Sequence, residues 1–349
     1  MILDPETLAL SNSIEKLVED AGEGDVKPEL LECVLEVATP PCADTAEAAT
    51  ELRALRRQVR ESAERHDLLI GSAGTHPFAL WEDQRISAGE RYRHLVSELR
   101  FVARQELIFG LHVHVGMEDP ETAIHVANGL RVHIPILTAL GANSPYWRGD
   151  DSGLASARVP IFRAFPRVGI PPVYADWADY ERRIAFMVDS GAIRDYTYLW
   201  FDVRPHPNIG TVEVRVPDAQ TRVEHTLALA ALVQAMAREL ALHHASGEPL
   251  KDYPHEMLDE NKWLAARHGL HSEIVDLPTA ERVATRDLGR RLHERLRGHA
   301  QDLGSVNEFD GLLDILDNGT GADRQRVVYE ANQDFQELVR EIVEATSAP

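Results

Sequence analysis

Residues 200–221, WFDVRPHPNIGTVEVRVPDAQT, alternate strictly near their centre: Val212, Val214 and Val216 fall on one side of an extended chain, and Thr211, Glu213 and Arg215 on the other. Two strands are predicted, over 198–203 and 211–216, joined by the turn Pro205-His206-Pro207-Asn208-Ile209-Gly210. Glu213 beside Arg215 reads either as a cross-strand surface pair or as part of a site.

Working outward, residues 107–115 (LIFGLHVHV) again alternate and place His112 and His114 on one side of a strand. A short apolar run at 68–73, ending at Gly74, predicts another strand. Helices are predicted over 47–66, with a stripe of Ala49, Leu52, Leu55 and Val59, and from Asp119-Pro120 to about 140, bent or split at Pro135. Further helices are expected at 177–188, 221–245, 280–303 and 323–345, and residues 145–172 read as a long irregular segment. The strands lie scattered among helices without a βαβ rhythm and no linker divides the chain. The reading is one α+β domain over 1–349, with a mainly antiparallel sheet flanked by helices.

The 349 residues include 36 Lys+Arg and 57 Asp+Glu, a formal net charge of −21, with a hydrophobic fraction of 44%. That fraction supports a packed core, and the charge argues against nucleic-acid binding and against anionic membrane surfaces. An anionic substrate would need a local basic site or a metal ion inside this acidic shell. Lysine occurs only four times, so arginine supplies nearly all positive charge. Two cysteines, Cys33 and Cys42, are too few for a disulfide framework and are read as packing residues. No apolar run approaches 18 residues and no signal-like N-terminus is seen, so a soluble, cytoplasmic protein is expected.

Charged side chains on apolar segments mark the chemistry. In PELLECVLEVATPP (28–41), Glu29, Glu32 and Glu36 would form one solvated face of a helix; on a strand, Glu32 and Glu36 would share a face and a bulge would bring Glu29 towards them. His112 and His114 read as a metal- or phosphate-binding pair or as satisfied interior residues. Arg204, in Arg204-Pro205-His206-Pro207, and Arg158, in SGLASAR, add cations. Hard cations such as Mg²⁺ take oxygen ligands and retain substrate phosphates, and arginine neutralises charge on a transferring phosphoryl group. With neither a GxxxxGK[ST] loop nor a GxGxxG turn, a nucleotide would be held through carboxylate-bound metals.

Six segments in order carry a resemblance: ELLECVLEVATPP (29–41), GTHP (74–77), GLHVHVG (110–116), ANSPYWRGDDSGLASAR (142–158), the stretch 200–221, and ENKWLAARHGL (260–270). The chain resembles the type 2 glutamate–cysteine ligases and their carboxylate–amine ligase relatives, which use a glutamine-synthetase-like antiparallel sheet. The resemblance implies that ATP activates the γ-carboxylate of glutamate as γ-glutamyl phosphate and that an amine such as cysteine displaces phosphate. It implies Glu29, Glu36, His112 and Glu213 as Mg²⁺ ligands, Arg215 as the residue stabilising the transferring phosphoryl group, Arg158 and Arg204 as grips for substrate carboxylates, and His114 as a polar contact at the reaction centre. Arg215, Asn261 and Arg267 are the positions expected at the nucleotide; Asn261, Trp263 and Arg267 match a family motif without individual roles.

The start, MILDPETLAL, departs from the family pattern, in which a Gly-x-Glu-Glu-Glu run precedes this strand and supplies metal ligands. Either the run lies upstream of Met1, or it is lost; its loss is expected to reduce metal occupancy and turnover, and a sheet lacking its first strand leaves an edge that admits a homo-oligomer. Three other readings stand beside glutamate–cysteine ligation: a ligase for another amine, a truncated non-catalytic nucleotide-binding relative, and a zinc hydrolase built on His112 and His114.

Overall fold

The computed structural model describes residues 1–21 and 26–348. Its organising sheet has three strands in the order Val203–His206, Thr211–Val214, Val113–Gly116, antiparallel throughout. The register sets Arg204 opposite Glu213 and Glu213 opposite His114, so the polar face foreseen from the alternation is a single surface. Pro205 and His206 belong to the strand and not to the turn; Pro207–Ile209 forms a short 3-10 turn closed by Gly210, whose φ of +64° is a conformation that favours glycine. Pro205 is tolerated because Val203–His206 is an edge strand.

The other face of this sheet, with Val113, Val203, Val212 and Val214 buried, packs on the main core. That core is built on the helix Val223–Ser246, whose Leu229, Ala231, Leu232, Val233 and Met236 are inaccessible to solvent. Against it lies Pro120–Leu130, which continues through a 3-10 turn, Arg131–His133, into Ile134–Leu140. Pro135 occupies the first turn of that last helix, where its missing N–H is not needed, so the interruption falls just before it. Over Pro120–Leu140 the chain is long and apolar enough to match a membrane span, but 78% of the window is buried inside the protein, as in a core helix.

Antiparallel pairing prevails as expected, but the ladders are fragmented into small sheets. Ile2–Leu3 pairs with Leu69–Ile70, Val26–Pro28 with Leu35–Val37, Tyr146–Trp147 with Asp150–Asp151, and Glu273–Asp276 with Glu281–Ala284; Val168–Gly169 and Trp200–Phe201 pair in parallel. Several predicted elements shift accordingly. The segment 28–41 is neither a helix nor one bulged strand: it leaves the strand Val26–Pro28, turns, and returns as Leu35–Val37. The helix expected over 280–303 begins only at Thr285, because 281–284 is taken by pairing with Glu273–Asp276. The one expected over 323–345 is two, Gly321–Asn332 and Phe335–Ser347, broken where Gln333 adopts φ +52° and Asp334 caps the second helix.

Three of the motif segments meet at one buried carboxylate. Asp218 accepts hydrogen bonds from the Asn143 amide (2.7 Å), Ser144 Oγ (2.7 Å) and Ser156 Oγ (2.9 Å), and is 1% exposed. A Cβ on Gly74 would lie 2.6 Å from the Asp218 carboxyl carbon, so only glycine lets GTHP approach this closely. Burial pushes the Asp218 carboxyl up and Arg158, with the three donors, pulls it down. Asp218→Ala should leave three buried donors unmatched and lower stability by about 3–5 kcal/mol. Urea unfolding measures this; a loss below about 1 kcal/mol would show that the carboxylate is not what joins these segments.

Candidate active site

Glu213 is the centre of the polar sheet face. Only 2% of its side chain is accessible; Arg204 Nε donates to Oε2, and Arg215 Nη1 donates to Oε1 at 2.5 Å. His112 Nδ1 and His114 Nε2 each lie 3.6 Å from Oε1. Burial would raise the Glu213 carboxyl, but Arg215, His114, His112 and Arg204 together hold it far below the usual carboxylate range. Burial, then Arg215, keeps the His112 imidazole well below its ordinary value, so the ring is neutral near pH 7. His114 is fixed through Nδ1 to Thr211 Oγ1 at 2.9 Å, on the adjacent strand and two residues from its partner Glu213.

The cations are held from behind. Arg204 Nη1 donates to the carbonyls of Leu199 (2.7 Å) and Thr197 (3.1 Å). Arg158, 4% exposed, spends Nη1 on Val216 O and Nη2 on Arg215 O, both at 3.1 Å. Gly110 makes room for it: a Cβ there would come within 2.3 Å of Arg158 Nη2. Arg158 is therefore turned into the scaffold, whereas Arg204 commits Nε and Nη1 and its Nη2 makes no hydrogen bond among the described residues. Arg158 braces the backbone of Arg215 from below. Arg158 and Arg215 each retain a buried Nε without an acceptor among the described residues. Three arginines against two enclosed carboxylates, Glu213 and Asp218, leave a surplus of positive charge.

Facing it is a wall of carboxylates. The turn between Val26–Pro28 and Leu35–Val37 brings Glu29 beside Glu36, while Glu32 points away to Arg85 Nε at 2.8 Å. Burial, then the charge of Glu36, pushes Glu29 up to about 7, against the Leu30 N–H and Arg215. Glu106, which sequence reasoning passed over, joins this group: burial pushes it up to about 8, opposed by Arg158 and Arg215. Its signal was present, since 106, 108, 110, 112 and 114 share one parity, but the strand was begun at Leu107. Tyr92 closes the wall, donating to Pro28 O at 2.6 Å.

Among the described residues no three His, Cys, Asp or Glu side chains form a ready metal cluster. Glu213 in particular is committed to two arginines. The donor chemistry of Glu29 and Glu36 nevertheless suits a hard divalent cation: two crowded carboxylates, one already pushed towards protonation, are relieved by positive charge between them.

Comparison with known proteins identifies the family. The family model described as glutamate–cysteine ligase family 2 matches residues 2–345. A Rubrobacter xylanophilus protein provisionally named glutamate–cysteine ligase 2-1 is 44% identical over 99% of this chain and 92% of its own length. A Sorangium cellulosum protein provisionally named glutamate–cysteine ligase 2 is 41% identical over 99% and 94%. The chain belongs to glutamate–cysteine ligase family 2. The crystal structure of a Francisella tularensis glutamate–cysteine ligase in complex with AMP has the same fold, with a TM-score of 0.74 at 15% identity, covering all of this chain and 87% of that one.

Within this carboxylate–amine ligase framework, the family motif ENKWLAARHGL occupies the end of the helix His255–His268 and the start of the 3-10 turn Gly269–His271, and is largely structural. Asn261 spends both ends of its amide on Val275, donating to its O and accepting from its N at 2.8 Å each. It therefore offers no free group to a nucleotide as it stands. Arg267 is exposed and its side chain makes no contact of this kind among the described residues. Lys262, which sequence reasoning did not single out, donates to Asp202 Oδ2 at 2.6 Å, and Asp202 O accepts the Arg215 amide at 2.8 Å. Cys33 and Cys42 are free, and burial pushes the Cys33 thiol up to about 12, as an inert packing residue requires.

Glu29 gives a pH test. Its folded-state value of about 7 lies above the ordinary 4.5, so the folded form holds a proton that the unfolded form has already released between those values. Stability contributed by protonated Glu29 is present below about 4.5 and lost as pH rises through about 7. Glu29→Gln should flatten that part of the stability–pH profile, and Mg²⁺ should raise the midpoint of thermal unfolding above pH 7 in the parent but not in the variant. Identical profiles for the two proteins would contradict the crowded pair.

Proposed function

We propose that this chain is an ATP-dependent ligase that joins the γ-carboxyl of L-glutamate to an amine, most specifically L-cysteine, through γ-glutamyl phosphate. The observation that carries this reading is the opposition of the arginine floor around Glu213 to the Glu29–Glu36–Glu106 wall. Glutamate, ATP and an acyl phosphate are all anionic, and attack of one anion on another is opposed until charge is neutralised. The family relationship and the AMP complex of a structural relative support the same chemistry.

Mg²⁺ held by Glu29 and Glu36 would neutralise and align the ATP phosphates. The chain's own residues do the rest. The γ-carboxylate oxygen of glutamate attacks the terminal phosphorus, the bond to ADP oxygen breaks, and Arg215 stabilises charge on the group in transit. Glu213 aims the Arg215 guanidinium, and Arg204 and Arg158 hold Glu213 and the Arg215 backbone in place. The neutral His112 ring contributes a lone pair or an N–H at the floor without adding charge. The amine nitrogen then attacks the acyl carbon, phosphate leaves with the C–O bonding pair, and the nitrogen gives up a proton.

Protein, Mg-ATP and L-glutamate should release ADP when a suitable amine is added, most strongly with L-cysteine in a panel of amines. Arg215→Ala should lower kcat by about 10²–10³, the usual loss for one charge-stabilising donor. Absence of ADP with every amine would reject the ligase reading, and a better amine than cysteine would reassign the acceptor.

A further inference from the structure

A cavity of about 280 Å³ lies away from this site, lined by Thr221 and Arg222, His225, Arg324, Gln325 and Glu341, with Ile342 and Ala345 adding an apolar side. It is formed where the start of Val223–Ser246 meets the helices Gly321–Asn332 and Phe335–Ser347. Charges of both signs line it and are poorly matched. Glu341 makes no hydrogen bond and no ion pair within 4 Å among the described residues, and burial pushes its carboxyl up. Arg222 Nη1 and Arg324 Nη2 both turn to Asp314 Oδ2, but only at 3.7 Å, because His225 Nε2 already occupies that oxygen at 2.9 Å. Arg324 Nε and Gln325 Oε1 are buried without partners among the described residues.

Each unmatched group is expensive in a partly enclosed space, and two guanidinium groups sharing one occupied carboxylate leave positive potential opposite an unpaired carboxylate. Glu224 lies 3.9 Å from Arg222 Nε but is held by Arg53 at 3.2 Å, so with Asp314 counted the two arginines are balanced by two carboxylates and the lining carries no net charge that would select a simple anion or cation. It selects a neutral molecule whose charges are separated. We infer that this cavity is a second small-molecule site, which takes a zwitterionic α-amino acid with a short aliphatic side chain. Its carboxylate meets Arg222 and Arg324, its ammonium meets Glu341, and its side chain lies on Ile342 and Ala345. The volume admits such a molecule. The cavity is not isolated from the rest of the fold: Thr221 Oγ1 accepts from Asn143 Nδ2 at 3.1 Å and Gln325 Nε2 donates to Asn143 O at 3.0 Å, the residue whose amide holds Asp218.

Titration calorimetry on the full chain, with L-valine as the probe, tests this. Saturable binding is expected, weakened about tenfold or more by Glu341→Gln and by Ala345→Phe, which fills the apolar side, and unchanged by Glu213→Gln. Isobutylamine and isovalerate, each lacking one charge, should bind about tenfold more weakly than L-valine. Circular dichroism checks that the variants fold; if Glu341→Gln does not, Ala345→Phe and the two analogues still decide. The inference is overturned if none of L-valine, L-alanine and L-leucine saturates by about 20 mM, if isovalerate binds as well as L-valine, or if Glu213→Gln alone abolishes binding.

Discussion

The ion cluster of Glu213 with Arg204 and Arg215 is the contact on which the site depends. Burying a lone carboxylate is prohibitive, and burying three arginines without one is equally so; each makes the other tolerable. The arrangement is anchored by register, since Arg204 and Glu213 are paired across one ladder and Glu213 and His114 across the next. A slip of one residue would send Glu213 into the valine core and Val212 or Val214 to the site. Sheet geometry and site chemistry are thus fixed by the same hydrogen bonds.

Around this cluster, charge is separated and not dispersed. The net charge of −21 is distributed so that a buried positive floor faces carboxylates on a neighbouring turn and on the approach to the His112 strand. Arg158 sits below the floor because Gly110 leaves space for it, and its own loop is tied down by Asp218. The apolar helices behind the sheet contribute rigidity: two helical layers, one of them apolar enough to match a membrane span, are buried under the valine face. A rigid floor of this kind is what electrostatic preorganisation demands.

Much of this was legible in sequence because period-two alternation is a local signal. Thr211, Glu213 and Arg215 against three valines, and His112 with His114, announce one polar face by their spacing alone. Pairing of distant segments was less legible. The turn that sets Glu29 beside Glu36 and sends Glu32 to Arg85 depends on contacts that no periodicity within 28–41 encodes. Nor does an arginine's sequence position say which way its guanidinium turns: both Nη atoms of Arg158 and Nη1 of Arg204 go to backbone carbonyls. Asn261 stood out as a motif residue and proves to clamp a neighbouring strand. Helix ends failed for physical reasons too, where strand pairing took 281–284 and a left-handed residue broke the chain at Gln333.

We propose that the arginine floor and carboxylate wall together support transfer of a phosphoryl group to a carboxylate. Hydroxylamine trapping tests it whichever amine the protein accepts. Protein incubated with Mg-ATP, L-glutamate and hydroxylamine should yield γ-glutamyl hydroxamate together with ADP, and Arg215→Ala should suppress both. ADP formed without any hydroxamate, or hydroxamate undiminished by loss of Arg215, would contradict a γ-glutamyl phosphate formed over this floor.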